Sequence, residues 1–172
     1  MTDHRIVVSG GRTLVSAPFG NGYRIASSCA VRNELNGERP LHDPSQVVDS
    51  MNADGSPGKP YMPRPFPVGI WPVRAPYKPT PEDDPDNWLG DWFTPTDAHQ
   101  TVTVWALDER GGYDHPTNET IEDWGYGVHY SRSETTDGCL RIDTQGDDDL
   151  LVKDIAAAIQ AGDTVSLEVL DT

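Results

Sequence analysis

Thr101-Val102-Thr103-Val104-Trp105-Ala106-Leu107 alternates β-branched and apolar residues and is the clearest strand of the chain. The closing Val165-Ser166-Leu167-Glu168-Val169-Leu170 alternates in the same way. Toward the amino terminus, Ile6-Val7-Val8, Thr13-Leu14-Val15 and Tyr23-Arg24-Ile25-Ala26 are short runs divided by turns at Ser9-Gly10-Gly11 and Gly20-Asn21-Gly22. That punctuation predicts a meander. Pro65-Phe66-Pro67-Val68-Gly69-Ile70-Trp71-Pro72-Val73 reads as an extended run, because its prolines forbid a central helix and suit a strand edge. Tyr126-Gly127-Val128-His129-Tyr130 reads as a further strand.

Between these runs, residues 36–59, 76–90 and 108–122 are rich in turn-forming and polar residues and read as loops. One helix is expected late in the chain. Asp149 can cap its start, Leu151, Ile155, Ala158 and Ile159 share a face, and Gly162 supplies a stop. The pattern predicts a mainly β domain with one short carboxyl-terminal helix, spanning residues 1–172 as a single unit.

Composition supports that reading. The chain has 172 residues with 16 Gly and 15 Pro, and 35% are hydrophobic. Such a balance fits many turns joining short strands. Five Trp, six Tyr and three Phe supply enough apolar anchoring to set full disorder aside. A net charge of −15 argues against nucleic acid and against an anionic membrane surface as partners. No segment reaches the length of a transmembrane helix. Acidic residues gather at Glu82-Asp83-Asp84, at Asp86 and at Asp147-Asp148-Asp149. Without regular ligand spacing they read as solvated surface, and neither metal nor cofactor is expected. The amino terminus does not read as a secretory signal. Without one, the Asn118-Glu119-Thr120 sequon is read as chance.

The chemistry concentrates in Gly127-Val128-His129 and in Thr136-Asp137-Gly138-Cys139-Leu140-Arg141. A cysteine after a glycine in a tight turn can direct its backbone N–H at the group it attacks. A nearby imidazole can hold the sulfur as thiolate, the reactive form. Cys29 and Cys139 could pair, but two cysteines are too few for a disulfide framework; with Cys139 a free nucleophile, Cys29 reads as a small buried residue. His4, His42, His99 and His115 lack zinc-ligand spacing and read as ordinary histidines. Trp71, Trp88, Trp92, Trp105 and Trp124 read as core or cleft-wall residues.

The carboxyl-terminal part, residues 64–172, resembles the L,D-transpeptidase catalytic domain, the YkuD family. Pro67-Val68-Gly69-Ile70-Trp71 is similar to that family's T-P-x-G-x-F/Y strand, and Gly127-Val128-His129 to its G-I-H-G segment. Thr136-Asp137-Gly138-Cys139-Leu140-Arg141 resembles S-x-G-C-x-R, and Gly162-Asp163-Thr164-Val165 the closing G-T-x-V strand. Two positions depart from the pattern: Asp137 stands where a histidine is common, and Tyr130 where a glycine follows the first histidine. The short interval between His129 and Cys139 is closer to branches associated with phages and with toxins delivered between bacteria.

The resemblance implies a β-sandwich or barrel with the helix packed on it. It implies a cysteine enzyme of peptidoglycan stem peptides, a transpeptidase, carboxypeptidase or endopeptidase working through a thioester on Cys139. His129 would be the general base, the carbonyl of Tyr130 would orient it, and the N–H groups of Gly138 and Cys139 would face the oxyanion. Arg141 and Thr136, with Asp137 beside them, are the candidate substrate-binding residues. Arg141 could instead bind a carboxylate of the protein, and Thr136 could hydrogen-bond within its turn. The expected partner is the stem peptide, met by a monomer outside the cytoplasmic membrane after phage- or secretion-type delivery. Two other readings stand beside this one. Cys29 could be the nucleophile of a papain-like hydrolase with His99 or His129. Alternatively, the chain could be a non-catalytic wall-binding or virion protein on the same scaffold.

Overall fold

The structure is a computed structural model and describes residues 2–9, 13–17, 22–24, 47–131 and 138–170. The fold is mainly β, with three sheets among the described residues and one helix near the carboxyl end. No closed barrel forms among them.

The first sheet holds β1 (Asp3–Ser9), β2 (Thr13–Ala17), β3 (Gly22–Arg24), β6 (Gly69–Pro72) and β12 (Thr164–Val169), in the order β3-β2-β1-β12-β6. The amino-terminal meander pairs antiparallel, and β1 then runs parallel to the last strand, with Ile6 opposite Leu167. Period-two alternation does the work in β12: Val165, Leu167 and Val169 are buried, whereas Ser166 and Glu168 are only half-buried. The second sheet has the order β11-β10-β7, from β7 (Phe93–Pro95), β10 (Gly127–Tyr130) and β11 (Leu140–Ile142). The third places β4 (Val48–Met51), β5 (Pro57–Tyr61), β8 (Gln100–Leu107) and β9 (Tyr113–Asp123) side by side.

Helix α1 (Gln145–Gln160) lies against the first two sheets, and Leu151, Ile155 and Ala158 join one core with Ile6, Val8, Val128, Leu140, Ile142 and Leu167. Its start differs from the expected Asp149. Thr144 is the cap, its hydroxyl oxygen accepting the Asp147 N–H at 3.1 Å. The polar first turn carries no apolar periodicity, which hid it. The end falls where Gly162 predicts. Asp163 N–H bonds the Ala158 carbonyl and Gly162 N–H bonds the Ile159 carbonyl, each at 3.0 Å, a Schellman ending.

Two expected loops contain strands. Within 36–59, β4 and β5 form a hairpin whose tip is tied by Asn52 N–H to the Ser56 carbonyl at 2.8 Å. Residues 36–46 lie outside the described residues. Within 108–122, β9 pairs with β8 through two register shifts. It is a polar edge strand, which is why Pro116 is tolerated and why hydrophobic alternation is missing. Strand β3 ends at Arg24, and Ile25 and Ala26 lie outside the described residues.

Candidate active site

Strand β10 sits in the middle of its sheet, and that position assembles the site. It runs antiparallel to β7, with His129 opposite Phe93, and parallel to β11, with His129 opposite Arg141. Val128, Leu140 and Ile142 turn into the core. The opposite face therefore carries His129, Arg141 and Phe93. Cys139 immediately precedes β11, one residue before Leu140, which pairs with Val128 of β10.

Gly138 makes the turn before the sulfur. Its φ is +117°, a conformation side chains rarely adopt. A Cβ there would lie 2.6 Å from the Tyr126 ring and 3.1 Å from the Arg64 carbonyl. The space beside this glycine is filled by the protein itself. Tyr126 is in turn fixed: its hydroxyl donates to Asp123 at 2.6 Å and accepts from Gln100 at 2.7 Å. Burial and the Asp123 carboxylate push that phenol far above its ordinary range.

Cys139 carries a thiol rather than a disulfide, is half-buried, and points its Sγ at the Gly125 carbonyl at 3.8 Å. His129 is only 3% exposed. Its Nδ1 lies 3.2 Å from the Tyr130 carbonyl, and its ring tilts against Phe93 with centroids 5.8 Å apart. Burial pushes the imidazole below its ordinary value, while the Tyr130 carbonyl, the Asp84 carboxylate and the Leu89 backbone pull the other way. The net effect favours the neutral imidazole.

Arg141 does not face open solvent. It is 8% exposed, its Nε donates to the Ser131 carbonyl at 2.9 Å, and its guanidinium lies 5.4 Å from the Tyr130 ring centroid. Among the described residues its partners are a carbonyl and a ring, with no carboxylate, so it braces the end of β10. Thr136, Asp137, Cys29 and His42 lie outside the described residues.

Several neighbours escaped the sequence reading. Asp84 was read as solvated surface; it accepts the N–H groups of Trp88 and Leu89 at 2.9 and 2.8 Å, curling residues 84–89 toward His129. Tyr77 bridges to Phe93 and packs on it at 5.7 Å. Its phenol is raised by burial, then by the nearby Asp83, Cys139 and Asp84. Asp148, in the first turn of α1, is fully buried with neither oxygen hydrogen-bonded. Burial raises its carboxyl to about 7. The acidic runs gave the only available signal, and they did not distinguish these two aspartates from their exposed neighbours.

No helix among the described residues is long and apolar enough to cross a membrane, and no group of three metal-binding side chains occurs among them. No family model matches the chain, and neither does any curated protein or solved structure.

Proposed function

We propose that the chain is a cysteine acyl-transfer enzyme of L,D-transpeptidase type, acting on peptidoglycan stem peptides. Support comes chiefly from one observation, the parallel pairing of β10, which carries His129, with β11, which Cys139 immediately precedes after the turn at Gly138. Cys139 Sγ bonds to the peptide carbonyl carbon as its proton passes to neutral His129. The oxyanion meets the N–H groups of Gly138 and Cys139. Collapse breaks the C–N bond, and the departing amine takes the proton from His129. An amine or a water molecule then releases the thioester. The proposed setting is the bacterial wall, reached by phage- or secretion-type delivery, with the protein acting as a monomer.

The test is thiol labelling with a carbapenem-like acylating reagent. Cys29→Ser keeps the adduct and Cys139→Ser loses it; retention of the adduct in Cys139→Ser rejects the assignment. A second reading, a non-catalytic wall-binding or virion protein, is favoured by the 3% exposure of His129 and by Tyr130 at the family's glycine position. It expects binding to sacculi with no change in stem-peptide length.

A further inference from the structure

Met51 closes β4, far along the chain from the Cys139 sulfur, yet it grips the segment that faces that sulfur. Its N–H donates to Asp123 Oδ1 at 2.9 Å, and its carbonyl accepts the Trp124 N–H at 2.9 Å. Its side chain covers Gly125. A Cβ there would lie 2.5 Å from Met51 Sδ, 3.3 Å from Cε and 3.4 Å from Cβ, and these are the three atoms nearest that position. One residue thus holds three consecutive ones, 123 to 125.

The Gly125 carbonyl is an acceptor facing the Cys139 thiol, at 3.8 Å from Sγ. Gly125 itself has φ +89°, a conformation in which a side chain would be strained. The far side of its peptide is fixed separately. The Tyr126 carbonyl accepts the Thr96 N–H at 3.1 Å and the Thr96 hydroxyl at 2.7 Å. Asp123, 2% exposed, divides its carboxylate between the two sides: Oδ1 takes the Met51 N–H, and Oδ2 takes the Tyr126 hydroxyl at 2.6 Å. With residues 124 and 126 both anchored, the Gly125 carbonyl has little freedom, and the Met51 thioether blocks its retreat toward the hairpin.

Burial does not account for this side chain. Met51 stays 41% exposed, so it adds little to the core, and its closest packing is on Gly125. A carbonyl dipole aimed at a sulfur favours S–H over thiolate, because it accepts from the first and repels the second.

We propose that Met51 is a positioning residue for the nucleophile, holding the Gly125 carbonyl against the Cys139 thiol and so setting how the S–H is directed. The contact stands on its own geometry; its consequence for catalysis rests on the acyl-transfer reading.

The test uses the full chain in a Cys29→Ser background, which leaves Cys139 as the sole thiol. Infrared difference spectra read its S–H stretching band, and iodoacetamide reads its reactivity at neutral pH with no peptide involved. In that parent protein the band lies below the frequency of an unbonded thiol. Met51→Ala raises it and speeds alkylation by about three- to tenfold, the worth of one net hydrogen bond. Met51→Leu, of similar volume, keeps the parent's band and rate. Gly125→Ala drives a methyl group into Met51 Sδ and moves the band by the opposite route to the same contact. An unbonded frequency in the parent overturns the proposal. So does a band that neither Met51→Ala nor Gly125→Ala moves, or one that Met51→Leu moves as far as Met51→Ala. A thiol whose band follows Met51 but which takes no acyl group from the carbapenem-like reagent sinks the acyl-transfer reading and leaves Met51 in its role. Acylation with an unmoved band does the reverse.

Discussion

Gly90 lies directly beneath the carbonyl of Tyr130: a Cβ at position 90 would come within 2.2 Å of that oxygen. The same oxygen lies 3.2 Å from His129 Nδ1, so residue 90 governs the group that orients the imidazole. Gly90 also has φ +70°. Gly90→Ala is expected to move the carbonyl and destabilise the fold by about 1–3 kcal/mol. Acylation of Cys139 should slow by at least about tenfold, since misplaced catalytic groups lose rate steeply. Rates and melting curves check this, and wild-type acylation in the variant would remove Tyr130 from the site.

Gly138→Ala meets the Tyr126 ring instead. With 2.6 Å to Cε1 and φ +117°, neither neighbour can yield cheaply. A loss of about 1–3 kcal/mol is expected in denaturant titration. Tyr126→Phe isolates the other half of the contact. It leaves buried Asp123 without the 2.6 Å hydroxyl bond, again at a cost of about 1–3 kcal/mol. If the two variants prove as stable as wild type, the Tyr126 network does not hold the turn.

Helix burial gives Asp148 a different signature. Its carboxyl is raised from 3.8 to about 7, mainly by burial, with Asp149 and Asp91 adding repulsion. The backbone N–H of Tyr130 opposes this without completing a hydrogen bond. Between those two values the folded state holds a proton that the unfolded state has released. Stability from this group is therefore full below the lower value and falls as pH rises through the window, by at most on the order of 4 kcal/mol. Asp148→Asn should flatten that slope and raise stability above pH 7. Melting temperatures across pH check it; an unchanged slope contradicts it.

On the acyl-transfer reading, the lowered pKa of His129 sets the kinetic pH dependence. Because burial lowers its pKa below 6.5, the base form persists into mildly acidic solution, and the acid limb of Cys139 acylation should fall below pH 6.5. His129→Gln should remove that limb and slow acylation by about 10²–10⁴-fold. An acid limb above pH 6.5 would show that the ring is not shielded as described.

The parts legible in the sequence are those in which one face is buried. β8 and β12 show alternation because Val102 and Val104, or Val165 and Leu167, are buried while Thr101 and Thr103, or Ser166 and Glu168, are not; Trp105 is buried as well. β9 lacks that signal because an exposed edge strand such as Asn118-Glu119-Thr120 buries almost nothing. β4 and β5 were hidden by Pro57, Pro60 and a polar hairpin tip, which also mark ordinary loops. The start of α1 depends on a single hydroxyl on Thr144, whereas apolar spacing begins only at Leu151.

The site divides in the same way. Cys139 and His129 stood out because their motifs lie close together in the chain. Phe93, Asp84 and Asp148 come from three separate elements, and only folding brings them to β10. Arg141 was visible as a residue but not as a brace, since its partner, the Ser131 carbonyl, is set by where β10 ends.

The most direct measurement is mass spectrometry of defined muropeptides incubated with the wild type and with Cys139→Ala. A thioester adduct mapping to Cys139, with stem peptides shortened or exchanged only by the wild type, is the expected result. Unaltered stem peptides with both proteins, or equal turnover by both, would contradict a nucleophilic Cys139 activated by His129.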